Sequence, residues 1–96
     1  MSDFVVVALA QAKPGYEAAL VAAQAALVLE ARKQPGCIVY ELHEDDSQPG
    51  KVVFFERWRD RAAWQNHITG PHIEAFKAQA GDWIAHSEIL QMHQVA

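Results

Sequence analysis

The chain has 96 residues and a single cysteine, Cys37. One thiol excludes an intrachain disulfide and any metal site built on paired cysteines, and such usage does not call for an oxidising compartment. Positive charge is also scarce, with eight Lys and Arg against twelve Asp and Glu, a net charge of −4. The basic residues are scattered, whereas a nucleic-acid surface needs them clustered. The one locally basic stretch, Arg57-Trp58-Arg59-Asp60-Arg61, has acidic neighbours and reads as a solvated turn. No segment approaches the ~20 apolar residues of a membrane span. The apolar run Phe4 to Ala10 is short and follows no positive n-region, so it does not read as a secretory signal. The expectation is a soluble, cytoplasmic protein with neither nucleic acid nor membrane as partner.

Apolar residues make up 51% and charged ones 21% of the chain, an ordinary globular balance. The length fits one domain, residues 1–96, near the small end of what a single core can stabilise. Phe4 to Gln11 is Val-rich and ends at Lys13-Pro14-Gly15, which marks a strand and a turn. Tyr16 to Lys33 lacks Gly and Pro and reads as a helix, with Tyr16, Leu20, Ala23, Leu27 and Ala31 as its buried stripe. Arg32 and Lys33 suit its last turn, and Pro35-Gly36 ends it. Cys37 to Glu44 reads as a second strand, with Ile38, Tyr40 and Leu42 on one face and Cys37, Val39, Glu41 and His43 on the other. After a loop at Asp45–Gly50, Lys51 to Trp58 forms a third strand with Val52, Phe54, Glu56 and Trp58 on one face. Asp60 is a good N-cap for a helix from Arg61 to Ile68, and Gly70-Pro71 separates it from another over His72–Ala80. Gly81 closes that helix, and Ile84 to Gln94 is the last strand.

This order predicts an α+β fold, the ferredoxin-like split β-α-β arrangement, with an antiparallel sheet and its helices on one face. The first and third strands are apolar on both faces, and helices in so short a chain cover only one. The uncovered face predicts a homodimer in which two sheets enclose a barrel-like core.

Within this apolar frame lie a tyrosine, a glutamate and a histidine. Tyr40 is either a core tyrosine or a hydrogen-bond donor to a substrate oxygen. Glu56, flanked on its face by Phe54 and Trp58, needs a partner or a raised pKa. His67 and His72 complete the set; His72, next to Pro71, also helps begin a helix. Trp58 and Phe54 are core aromatics or pocket walls. The five histidines raise the question of a metal. His67 and His72 are separated by a proline rather than spaced on one helical turn, and His86 and His93 fall on opposite faces of a strand, so no metal is expected.

In ordered combination, Lys13-Pro14-Gly15, Pro35-Gly36-Cys37 with Tyr40, Glu56 with Trp58, and Asp60, His67 and Pro71-His72 resemble the antibiotic biosynthesis monooxygenase family, in its small, single-domain, quinol monooxygenase-like form. The resemblance spans nearly the whole chain. It implies a dimeric α+β barrel with one small-molecule pocket per subunit, between sheet and helices. It also implies oxidation of phenols or hydroquinones by O₂ without metal, flavin or haem. Other members isomerise a phosphorylated ketose derivative, and others degrade haem. The haem-degrading members carry a tryptophan and a later histidine where this chain has His67 and a position near Lys77, so haem is not the expected substrate.

The expected occupant is a small aromatic or carbonyl-containing molecule, with no cofactor. His67 is then the base for a phenolic proton, and Tyr40 and Glu56 orient substrate or relay protons. Trp58, Phe54 and His72 are the expected substrate-binding residues. Phosphate recognition would want convergent cations, and only Arg57 and Lys51 lie near the relevant strand. A proton-shuttling isomerase of a sugar-like ketone and a non-catalytic binding or stress-related dimer are the alternatives.

Overall fold

Every second residue of Lys51–Trp58 is buried, namely Val52, Phe54, Glu56 and Trp58, and this alternation fixes which face of the sheet receives the helices. The structure, a computed structural model, describes residues 3–96. Four strands, β1 (Phe4–Ala12), β2 (Cys37–Glu44), β3 (Lys51–Trp58) and β4 (Ile84–Met92), form one sheet in the order β2-β3-β1-β4. All three pairings are antiparallel. Helix α1 (Glu17–Ala31) joins β1 to β2, while α2 (Arg61–Ile68), α3 (Pro71–Ala80) and a 3₁₀ turn (Gly81–Trp83) join β3 to β4. This is the expected ferredoxin-like α+β architecture.

The core lies between the sheet and the helices. Val6, Ala10, Tyr40, Val52, Phe54 and Trp58 from the strands meet Val28 and Ala31 of α1 and Ala63 and Trp64 of α2. A smaller cluster joins Ala12, Leu20 and Ala80 where α1 packs on α3. The opposite face carries Val5, Val7 and Leu9 of β1, in register with Arg57, Phe55 and Val53 of β3 and with Met92, Leu90 and Glu88 of β4. No helix covers it, and Leu90 and Met92 are exposed.

Several expected details are corrected. Cys37 pairs with Trp58 but Val39 with Arg57, so Ile38 is the extra residue of a β-bulge. The bulge turns Cys37 toward the core and leaves Ile38 52% exposed, reversing the faces that strict alternation assigns to them. Tyr16 precedes α1 rather than joining its buried stripe, and its ring stacks on Trp83 at 5.8 Å. Ala23 is only partly buried, and Gln24 and Val28 take places in the stripe. Arg32 caps α1 and Lys33 lies beyond it, so neither occupies the last turn; Arg32 Nε donates instead to the Tyr40 carbonyl at 3.0 Å. Helix α3 starts at Pro71 and β4 ends at Met92, short of Gln94.

Gly36 joins the two halves of the fold. Its φ of +83° is a left-handed conformation, and a Cβ there would lie 2.6 Å from the Ala63 Cβ of α2. Its carbonyl accepts the Arg59 N–H at 2.8 Å, which fixes the chain just before α2. Asp60 then caps α2 as expected, its Oδ1 accepting the Ala63 N–H at 2.9 Å. These contacts aim the His67 face of α2 at the sheet.

Candidate active site

Glu56 and Trp58 are two residues apart on β3 and therefore share a face. The Trp58 indole N–H donates to Glu56 Oε1 at 2.9 Å, and Glu56 is 4% exposed. Among the described residues no ion pair forms there: Arg57 points to the other face, 3.6 Å from Asp3. Burial pushes the Glu56 carboxyl up to about 7, against the smaller stabilisation of its anion by Trp58. Directly opposite in register stands Tyr40, buried with its ring edge-on to Phe54, Trp58 and His67. Burial, and then the negative charge of Glu56, raise the Tyr40 phenol, so it remains a proton donor throughout the neutral range.

His67 approaches from α2, 2% exposed, with its imidazole stacked on the Trp58 indole at a 4.9 Å centroid separation. Its Nε2 is 3.4 Å from the Tyr40 hydroxyl and its Nδ1 is 2.8 Å from His72 Nε2. Burial, and secondarily the charge of His72, lower the His67 pKa to about 4. Near neutral pH the ring is therefore uncharged. With Tyr40 donating to Nε2, His67 Nδ1–H donates to His72 Nε2, which gives a directed chain from Tyr40 through His67 to His72. Gly70 makes room for the last member, since a Cβ there would lie 2.8 Å from the His72 ring.

A cavity of about 310 Å³ opens beside this chain, a volume suited to a small ligand. Its walls are mainly apolar, from Val6, Ala8, Phe54, Trp64, Ile73 and Phe76. Tyr40, Glu56 and His67 all border it, so the sequence-selected trio converges on one space. Phe54 forms a wall. Trp58 and His72 do not, contrary to expectation: Trp58 is covered by His67, and His72 lies behind the imidazole facing the surface between α1 and α3. Neither Arg57 nor Lys51 borders the cavity; among the described residues the one cation there is Lys77. The short His67–His72 contact also bears on metal binding, because the two nitrogens face each other rather than a common ion. Among the described residues, no three His, Cys, Asp or Glu side chains are grouped to hold a metal.

Of the polar residues bordering the cavity, Gln24, Lys77 and Ser87 escaped the sequence reading, and Gln24 is the buried one. Gln24, in the middle of α1, is 1% exposed and borders the same space. In an alanine-rich helix the polar face is not obvious from spacing, and an isolated Gln carries no motif.

Comparison with known proteins supports the resemblance drawn from the sequence. The sequence profile for antibiotic biosynthesis monooxygenase matches residues 3–79. The protein sll1783 of Synechocystis sp. is 30% identical over 84 residues, which cover 88% of this chain and 57% of the relative's length. The chain thus spans little more than half of that relative. Rv0793 of Mycobacterium tuberculosis, whose name places it provisionally among the monooxygenases, is 35% identical over 81 residues, 84% of this chain and 79% of that protein. Its solved structure superposes with a TM-score of 0.88 over 99% of this chain and 97% of that one, at 29% identity. The crystal structure of PA3566 from Pseudomonas aeruginosa gives 0.94 at 29% identity, covering 100% and 97% of the two chains. In fold and over most of its length, the chain belongs to the antibiotic biosynthesis monooxygenase family.

Proposed function

We propose that the protein is a cofactor-independent monooxygenase that oxidises an electron-rich phenol or hydroquinone with O₂. The observation that carries this reading is the convergence of Tyr40, Glu56 and an uncharged His67 on a small apolar cavity. For a hydroquinone the balanced reaction takes one O₂, places one oxygen on a ring carbon, releases the other as water, and yields a hydroxyquinone. The substrate supplies all four electrons. Removal of the phenolic proton gives an anion that passes one electron to O₂, and the two radicals combine at carbon. The resulting peroxide anion gains a proton on its outer oxygen to become the hydroperoxide, and loss of the ring C–H proton cleaves the O–O bond, the hydroxide leaving with a proton as water. An apolar cavity keeps reduced oxygen away from water.

His67 serves as the first proton acceptor. Leaving a proton from a phenol of pKa ~10 on an imidazole near 4 would cost roughly 8 kcal/mol. The His72 contact offers a way round this cost: as Nε2 of His67 takes the substrate proton, its Nδ1 proton passes to His72 and on to the surface. On substrate binding the Tyr40 hydroxyl turns from His67 Nε2 to the oxyanion, which frees Nε2 for the substrate proton, and Glu56, titrating near 7, lends and recovers the proton that the peroxide needs. Lys77, the single cavity cation among the described residues, fits an uncharged aromatic better than the phosphorylated ketose an isomerase would take.

The active form in this proposal is a homodimer, the second subunit covering the apolar face of Val5, Val7, Leu9, Val53 and Phe55. Oxygen uptake with hydroquinones, phenols and anthrones tests the chemistry. Stoichiometric uptake with a hydroxylated quinone as product supports it. No consumption across the series would turn the assignment to the isomerase or the binding protein.

A further inference from the structure

Among the described residues, one fully buried side-chain polar atom has no hydrogen-bond partner, and it belongs to a residue that borders the cavity. Glu56 holds the Trp58 indole, and His67 connects Tyr40 to His72, but the Gln24 carbonyl oxygen Oε1 is buried without a partner. Gln24 lies in the buried stripe of α1 between Leu20 and Leu27, where an aliphatic side chain would pack without that loss. Buried polar groups are nearly always paired, and leaving one unpaired is costly. Gln24 is a bordering residue of the same cavity as Tyr40, Glu56 and His67, so a molecule in that cavity can supply the missing partner.

We infer that Gln24 is a specificity-determining residue that hydrogen-bonds a second oxygen function of the substrate, distinct from the hydroxyl that faces His67. This rests on reading the cavity as the phenol-oxidising site, and it narrows the substrate to aromatics bearing two oxygens. A hydroxyl is the best match for that second group. The amide can present either its oxygen or its nitrogen to the cavity, and a hydroxyl can donate to the first or accept from the second. An alkyl group can do neither and would leave the amide unpaired, which is the strongest basis on which a pocket rejects a near-isosteric ligand.

The test compares anaerobic binding of hydroquinone and 4-methylphenol, which differ by one hydroxyl against one methyl, by tryptophan fluorescence and calorimetry. Both are titrated into the wild type and into Gln24→Met, which keeps the unbranched length and removes the amide. The hydroquinone-to-methylphenol affinity ratio should fall roughly tenfold in the variant, with methylphenol affinity maintained or improved. A ratio that changes less than about twofold overturns the assignment to Gln24 while leaving the monooxygenase reading intact. If the wild type binds neither probe, the inference and the reading beneath it both fail. Gln24→Met should also melt no lower than the wild type, because an unpaired buried amide stabilises nothing. A fall of more than about 4 °C would show the amide to be structural and overturn the inference.

Discussion

His67 Nδ1 and His72 Nε2 lie 2.8 Å apart, joining a buried imidazole beside the cavity to one at the protein surface. If this contact carries protons out of the site, His72→Phe should slow turnover about tenfold or more. Small imidazole buffers should restore part of the rate, since they can accept the proton at the surface. Equal rates in wild type and variant, with no buffer response, would leave His72 a purely structural partner.

Glu56 and His67 make opposite contributions to stability as pH changes. Burial raises the carboxyl from 4.5 to about 7, so the native state binds more protons than the unfolded chain between those values. Stability from this group is fully present below about 4.5 and is lost as pH rises toward 7. Burial lowers the imidazole from 6.5 to about 4, so here the unfolded chain binds more protons and stability grows as pH rises through that window. Each swing is roughly 3 kcal/mol, and in the wild type the two largely cancel between pH 4.5 and 6.5. Urea denaturation of Glu56→Gln should therefore reveal stability that climbs with pH, and His67→Gln stability that falls. The same pH profile in all three proteins would contradict both buried titrations.

Gly36→Ala should destabilise by well over about 1 kcal/mol, because the left-handed backbone and the approach to Ala63 both oppose a Cβ. Gly15, with φ +90°, has no atom within 4 Å of such a Cβ, so Gly15→Ala should cost only the backbone term of about 1 kcal/mol. Chemical denaturation of the two variants separates conformational strain from collision. Equal losses would remove the Gly36–Ala63 contact as a determinant of where α2 sits.

Strands were legible wherever the period of two was unbroken. In β3 the alternation of Val52, Phe54, Glu56 and Trp58 identified the buried face, and Asp60 announced α2. The bulge at Ile38 was not legible, because an extra residue shifts the alternation without leaving a Gly or Pro to mark it. The stripe of α1 was partly misread for a related reason: alanine suits every face of a helix, so Gln24 could not be told from a solvent-facing residue. Tyr40, Glu56 and His67 stood out as polar groups in apolar stretches. That Trp58 and His72 back His67 rather than line the cavity depends on how α2 and α3 pack, which spacing along the chain does not encode.

The uncovered sheet face predicts association. Light scattering at micromolar concentration should give about twice the 10.7 kDa chain mass. Phe55→Glu, which places a charge among Val7, Glu41 and their neighbours on that face, should yield folded monomers. A wild-type monomer would refute the dimer.

The proton acceptor is the centre of the account, and oxygen uptake by His67→Ala tests it most directly. With a hydroquinone that the wild type oxidises, the variant should lose ~10²-fold or more of its turnover while circular dichroism shows a folded protein. Tyr40→Phe, which keeps the ring and removes the donor, should lose less. A folded His67→Ala protein that consumes oxygen at the wild-type rate would contradict the assignment and pass the role to Glu56 or to the acidity of the substrate itself.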